Sequence, residues 1–375
     1  ADRMIDRERL RIWWNDVARF LEPMHVRSDY IRSNDFVVES NLVLVPYLPE
    51  YMMTANSPHR AKEIRDKVQE AVVVAKELGD GGIPLTMVGL GAFTSIVTNN
   101  GLTINDYEVA TTSGNAFTVG LTVFGIKEAV RARGKDWSSI AVAVVGANGS
   151  IGQATARVLA PQVGRLLLVG STRDDSVARL HLTKKLCVED ALRMGPERAT
   201  VGRIGREVLR VAEAAQSTTP AEVARATSPA FIDVASDFES LVDVDVVVIA
   251  TNSPDASLLH PSMVRRDAIV CCTSVPSNLH ADFGKPSEIL AFSGGLARLP
   301  ERSEIRFVGF PKHGMTFGCL AETLLLAFDG HNHSFAKGVL HPSLVEMTMS
   351  WAGQYGFTLG PLTLDDKVVL QCRTT

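Results

Sequence analysis

Apolar side chains spaced three and four apart open the chain. Leu10, Trp13, Trp14, Val17 and Phe20 predict an amphipathic helix within residues 1–22, its apolar face turned onto the first domain. Short strand-like runs follow, Phe36-Val-Val and Leu42-Val-Leu-Val, and then Pro46 and Pro49. A second helix is expected from Arg60 to Leu78, with Val68, Ala71, Val72 and Ala75 inward. Pro84-Leu-Thr-Met-Val-Gly-Leu-Gly91 reads as a buried strand entering a glycine turn. Together these make a small α/β domain over residues 1–114.

The pattern then changes to strand and helix in alternation. A helix from Asn115 to Arg133 bridges to a continuous apolar strand at 140–145, followed by a helix at 151–160 and a strand from Leu166 to Val169. A longer helical region runs from 174 to 226, ahead of strands Val244–Ala250 and Ala268–Cys272. Such alternation implies a mostly parallel sheet with helices on both faces, over residues 115–297. After Ser293-Gly-Gly295 and Pro300 the pattern is helical again, at Thr316–Phe328 and Pro342–Tyr355, within a carboxyl-terminal segment of residues 298–375.

Composition narrows the function. With 38 basic and 42 acidic side chains and a net charge of −4, the chain advertises no surface for nucleic acid. No apolar run is long enough to span a bilayer and the charged start has no signal-peptide core, so the cytoplasm is the expected location. Five cysteines without metal-ligand spacing suggest neither a disulfide framework nor a metal site. A start at Ala1 rather than Met keeps a piece of a larger polypeptide among the readings.

The strand at 140–145 runs into Gly146-Ala-Asn148-Gly149-Ser150-Ile151-Gly152, and the last residues open a helix. Glycine is needed first for the tight turn, next for approach of the backbone to a pyrophosphate, and last for close packing of helix on strand. A Rossmann-type dinucleotide domain is therefore expected. NAD sites place a carboxylate after the second strand, whereas Val169 is followed here by Gly170-Ser171-Thr172-Arg173. Two hydroxyls and a guanidinium suit a 2′-phosphate, so NADPH is the expected cofactor, with Asp174 and Asp175 as the contrary feature. Ala250, Thr251 and Asn252 end the next strand, where loops of such sheets face the nicotinamide.

Phe317-Gly-Cys319-Leu-Ala-Glu-Thr-Leu-Leu-Leu-Ala-Phe328 predicts a helix with Leu320, Leu324 and Phe328 inward and Cys319 in its first turn. A helix N-terminus can stabilise a thiolate, although these residues alone favour a buried, inert cysteine.

Several segments taken in order carry more. Leu48-Pro-Glu-Tyr-Met52, Val88-Gly-Leu-Gly-Ala-Phe-Thr-Ser-Ile-Val97, Thr111-Thr-Ser-Gly-Asn115 with Thr118, the glycine loop, Ser293-Gly-Gly295, and Met315 through Gly330 together resemble the long-chain acyl-[acyl-carrier-protein] reductases, over most of residues 36–362. That resemblance implies that Cys319 takes the acyl group from a carrier-protein or CoA thioester and that NADPH reduces it to a fatty aldehyde. It also points to Ser95 and Asn115 as catalytic partners and to Gly91, Phe93, Thr94, Thr112 and Gly295 at the substrate. Oxygen charge needs positioned donors, for which Ser95, Thr112 and Asn115 are candidates, with turn and helix capping as the alternative. His313 is weighed for proton transfer, with a surface role preferred.

Relative to that family the stretch 180–231 reads as a helical insertion: a lid, an oligomer contact or an acyl-channel wall. Its Lys184, Lys185, Arg203, Arg206 and Arg210 could meet an acidic carrier, or form a solvated face. A homo-oligomer and a partner enzyme that consumes the aldehyde are compatible with this reading. The competing readings are an NADP-dependent dehydrogenase of the shikimate or glutamyl-tRNA reductase kind, and a non-catalytic NADP-binding module of a larger assembly.

Overall fold

The computed structural model describes residues 7–372, except 55, 56, 81–83, 107, 108, 172–174, 195–198, 200, 301, 302, 308 and 313. Its centre is a six-stranded parallel sheet. Across the sheet the strands are Leu290–Ser293, Ile269–Cys272, Val246–Ile249, Ala141–Val145, Arg165–Val169 and Ile232–Ala235. Chain order thus runs outward from Ala141–Val145 to one edge, then returns beside it and runs to the other. This is the doubly wound Rossmann order, with its reversal between Ala141–Val145 and Val246–Ile249. The central strands are Val, Ile and Ala with both faces covered, which is why they read as unbroken apolar runs rather than alternating ones.

The predicted helical region at 174–226 resolves into Ser176–Arg193, Arg203–Ala215 and Pro220–Ala226. These helices form the crossover from Arg165–Val169 to its parallel neighbour Ile232–Ala235, a strand that the pattern did not predict. Leu180, Cys187, Val188, Ile204, Val208 and Val223 carry them into the main core. The described residues of the stretch 180–231 are therefore part of the sheet's packing, and none of them lines the cavity described below. Three of its cations are occupied locally: Lys184 is buried and donates to Thr227 O, Arg210 pairs with Glu207 at 2.7 Å, and Arg206 donates to Val201 O.

Helix Asn115–Ala132 binds the parts together. One side packs on helix Ser150–Leu159, others on helices Gly318–Phe328 and Pro342–Gln354, and it is apolar nearly all round because it is buried nearly all round. The expected carboxyl-terminal helices are present, and short strands Leu296–Arg298, Met315–Phe317 and Thr358–Leu359 join them in a sheet. Helix Gly318–Phe328 is not one-faced as predicted: Ala321, Glu322, Leu325 and Leu326 are buried along with Leu324 and Phe328, and Leu320 is half-buried.

At the amino-terminal end, Met24–Ser33 and Phe36–Leu44 form an antiparallel hairpin, where the sequence pattern indicated only the apolar runs of the second strand. Helix Arg7–Ala18 buries Ala18 and half-buries Trp14, whose indole donates to Pro46 O at 2.8 Å. Leu10, Trp13 and Phe20, predicted to face inward, are exposed. The second helix spans Pro58–Asp80 with Ile64, Val68, Ala71 and Val72 in a separate core. The predicted strand at 84–91 contracts to Val88–Gly89, paired in parallel with Thr111–Thr112. No described helix is long and apolar enough to cross a membrane.

Candidate active site

A cavity of about 1060 Å³ opens where the sheet reverses direction. Gly149, Ser150 and Ile151 come from the first strand-to-helix turn, and Ala250, Thr251, Asn252 and Ser253 from the loop after Val246–Ile249. Phe93, Ser95, Asn100, Ser113 and Asn115 come from the amino-terminal loops, and Gly295, Phe317 and Cys319 from the far wall. Residues more than two hundred positions apart thus share one chamber.

The glycine loop is built as its spacing predicts. Gly146 has φ +86°, and a Cβ there would stand 2.3 Å from Ala250 O. A Cβ on Gly152 would stand 2.2 Å from Gly146 O, so helix Ser150–Leu159 lies against the turn as closely as backbone permits. Gly149, by contrast, meets nothing closer than 3.4 Å and borders the cavity. It is the N-cap of that helix and supplies no side-chain cap, leaving the helix start to face the chamber. These features fit a dinucleotide pyrophosphate. Asn148 turns away from the chamber and ties the loop to the next helix, donating to Ser176 Oγ at 2.7 Å. Ser171 is exposed beyond the second strand, while Thr172 and Arg173 lie outside the described residues, as does His313.

The loop after Val246–Ile249 is held by Asn278, which is fully buried. Its amide donates to Ser253 O at 3.0 Å and Asp255 O at 2.7 Å, and its Oδ1 accepts from the Thr251 hydroxyl at 2.8 Å.

Cys319 sits in the first turn of helix Gly318–Phe328, partly accessible from the cavity. Burial, the largest influence, pushes its thiol up. The backbone N–H groups of Ala92, Leu320 and Cys319 itself act in the opposite direction, and the Glu322 carboxyl adds to the rise. The net displacement is upward, where the helix N-terminus alone predicted a lowered value. Ala92 donates from a backbone at φ +50°, a conformation that disfavours a side chain.

The amino-terminal residues divide. Asn115 Nδ2 donates to Asn100 Oδ1 at 3.2 Å and approaches Ser150 Oγ at 3.4 Å, bridging the two halves of the chamber. Ser95 is nearly buried, with its hydroxyl directed at Ala92 O. Gly91 and Thr94 form a turn, the Thr94 hydroxyl donating to Gly91 O at 2.7 Å, and neither reaches the chamber wall. Thr112, expected at the substrate, is instead fully buried and donates to Glu322. Its position on a two-residue strand beneath the loop explains the difference.

No protein-family model matches the chain, and no curated protein matches it. Among solved structures, a shikimate 5-dehydrogenase from Listeria monocytogenes, in complex with shikimate and NAD, is similar over 51% of this chain at 14% identity and a TM-score of 0.28. The protein AibC is similar over 64% at 16% identity and a TM-score of 0.25. This chain spans 56% and 51% of those two, about half of each. At such scores neither likeness carries an argument, and the fold rests on this chain's own strand order.

Four contributors escaped the sequence reading: Glu322, Gly114, Ala92 and Asn278. Glu322 left a visible trace, as a carboxyl inside an apolar helical run. The others act through backbone geometry or distant partners and left none.

Proposed function

We propose that the chain uses NADPH to reduce a long-chain acyl thioester, carried on acyl carrier protein or CoA, to a fatty aldehyde, with the acyl group held transiently on Cys319. The observation that carries this reading is that Cys319 and the uncapped helix start at Gly149–Ile151 wall the same cavity. Phe93, Ile96, Ile305, Phe307, Phe310 and Phe317 add apolar wall suited to an acyl chain.

In the first step the Cys319 sulfur, as thiolate, attacks the thioester carbonyl carbon. A new C–S bond forms, the bond to the carrier sulfur breaks, and the carrier thiolate leaves and takes up a proton. Exchange of one thiolate for another is nearly balanced in energy. Oxygen charge on the tetrahedral centre requires donors, for which Asn115 and the Ala92 N–H, both bordering the cavity, are the candidates. The nicotinamide, when bound, supplies hydride to the acyl carbon, and cleavage of the C–S bond then returns Cys319 and frees the aldehyde. Gly149, Ser150 and Ile151 would hold the pyrophosphate, and Thr251 and Asn252 would border the nicotinamide. Preference for the phosphate form rests on Gly170-Ser171-Thr172-Arg173, which offers hydroxyls and a guanidinium and no carboxylate.

One observation favours a second reading, a dehydrogenase that transfers hydride directly to a carbonyl: the Cys319 thiol is held above its ordinary value, as in a cysteine kept neutral. Incubation with palmitoyl-CoA in the absence of NADPH, followed by intact mass, separates the two. An acyl adduct on the wild type that is missing from Cys319→Ala supports the thioester reductase. An adduct that persists in the variant removes Cys319 from the nucleophile's role, and no adduct on either protein leaves the direct dehydrogenase or a non-catalytic dinucleotide-binding module.

A further inference from the structure

Glu322 stands three residues beyond Cys319 and has no solvent access. Its helix is otherwise apolar or small from Leu320 to Phe328 apart from Thr323, so a carboxyl there carries a desolvation cost that hydrogen bonds must offset. Oε1 accepts from the Thr112 hydroxyl at 2.5 Å, and Oε2 accepts from Phe117 N–H at 2.7 Å. The N–H groups of Ala116 and Gly114 also favour the charged carboxyl, and Gly114 N–H donates to the Thr112 Oγ1 that bonds it, at 3.2 Å. These backbone donors belong to the start of helix Asn115–Ala132, whose N-cap, Gly114, has no side chain with which to cap it. Glu322 does that work from another helix, and Gly114 in turn presses on Cys319.

We propose that Glu322 is a positioning residue for Cys319: its ionised carboxylate gathers Thr112 and the first-turn N–H groups of helix Asn115–Ala132, seating Gly114 against the Cα and Cβ of Cys319. The inference rests on Cys319 being the reactive nucleophile. Every group around the carboxylate is a donor, so the ionised form satisfies all of them. A protonated carboxyl adds a donor of its own and loses an acceptor site, and the seat loosens.

Burial raises the Glu322 carboxyl to about 7 despite those bonds, which brings the change into the neutral range. Among the described residues, the neighbouring elements carry Glu39, Lys127, Glu128, Arg131, Arg298 and Glu346 as their charged groups. None of these forms an ion pair with Glu322, and Cys319 is the titratable neighbour that its charge raises.

Alkylation of Cys319 by iodoacetamide, followed by intact mass across pH 5.5–9.5, tests this without any acyl substrate. The wild-type rate should rise with thiol ionisation and show a second inflection near pH 7. In Glu322→Gln, whose amide cannot accept from all these donors, the inflection should vanish and the thiol midpoint should move down. The rate at high pH should fall by a factor on the order of 10 to 100 through misplacement. Thr112→Val, which keeps the carboxyl, should lose rate yet retain the inflection. A Glu322→Gln profile that parallels the wild type at every pH, whether equal or uniformly slower, overturns the inference alone. A wild-type Cys319 that resists alkylation throughout overturns both it and the thioester reading.

Discussion

Gly114 and Cys319 touch with no room between them. A Cβ built on Gly114 would lie 2.3 Å from the Cys319 Cβ and 2.4 Å from its Cα. Gly114 also sits at φ +73°, in the left-handed region, so both its backbone and its surroundings require glycine. The contact links the start of helix Asn115–Ala132 to the first turn of helix Gly318–Phe328, and the geometry of the cavity's inner wall depends on it.

Gly114→Ala should therefore damage both stability and the site. Left-handed strain and a clash against backbone together should cost about 2–4 kcal/mol, read as a lower urea midpoint, and should abolish Cys319 modification by palmitoyl-CoA. A variant with wild-type midpoint and wild-type adduct yield would refute the contact's importance.

Cys319→Ala removes the sulfur and keeps the Cβ that packs on Gly114. NADPH affinity by fluorescence titration should stay within about twofold of wild type, because no part of the glycine loop is disturbed, while aldehyde formation is lost. Retained aldehyde formation would rule out the acyl-cysteine step.

Two glycines of the loop after Ala141–Val145 should separate packing from the proposed cofactor binding. Gly152→Ala places a Cβ 2.2 Å from Gly146 O and should destabilise the fold by about 1–3 kcal/mol. Gly149→Ala has 3.4 Å of clearance but projects toward the cavity, so stability should hold within about 0.5 kcal/mol while NADPH affinity falls. Thermal melts and titrations of the two variants, compared side by side, decide the matter: equal destabilisation would contradict this division.

Glu322 also makes a signed prediction for stability. Its carboxyl is raised from 4.5 to about 7, chiefly by burial, so between those values the folded chain holds a proton that the unfolded chain has released. Its contribution is full below pH 4.5 and is lost as pH rises toward 7. Asp245, against burial, is held below the ordinary carboxylate value by the Ala141 N–H, Lys135 and Arg265, and Asp267 by Arg265 and Lys135; their contribution is lost only as pH falls through and below 3.8, so it changes little across pH 5–8. Urea unfolding from pH 5 to 8 should show wild-type stability falling relative to Glu322→Gln up to about pH 7 and running parallel above it. A constant difference across the range would contradict the raised value.

Asn278 holds the loop after Val246–Ile249 through three hydrogen bonds from a buried position. Asn278→Ala should lower stability by about 1–3 kcal/mol and weaken NADPH binding more than Ser277→Ala does. Unchanged affinity in isothermal titration would show that the loop's order does not matter to the cofactor.

The parts of this protein legible in the sequence are those governed by local rules. Unbroken apolar runs located the central strands because strands covered on both faces need no alternation, and the glycine spacing located the turn because its backbone contacts lie within a few residues. Cys319 could be placed at a helix start for the same reason. Misreadings arose where distant partners decide. Leu10, Trp13 and Phe20 have helical spacing but no surface to cover them, and strand Ile232–Ala235 escaped the pattern because it is only four residues long. Only the tertiary structure could show that Thr112 serves Glu322 rather than the cavity, that Gly114 bears on Cys319, and that burial outweighs the helix terminus at the thiol. Each of these depends on groups about two hundred residues apart being brought within a few ångströms, and on the water excluded when they meet.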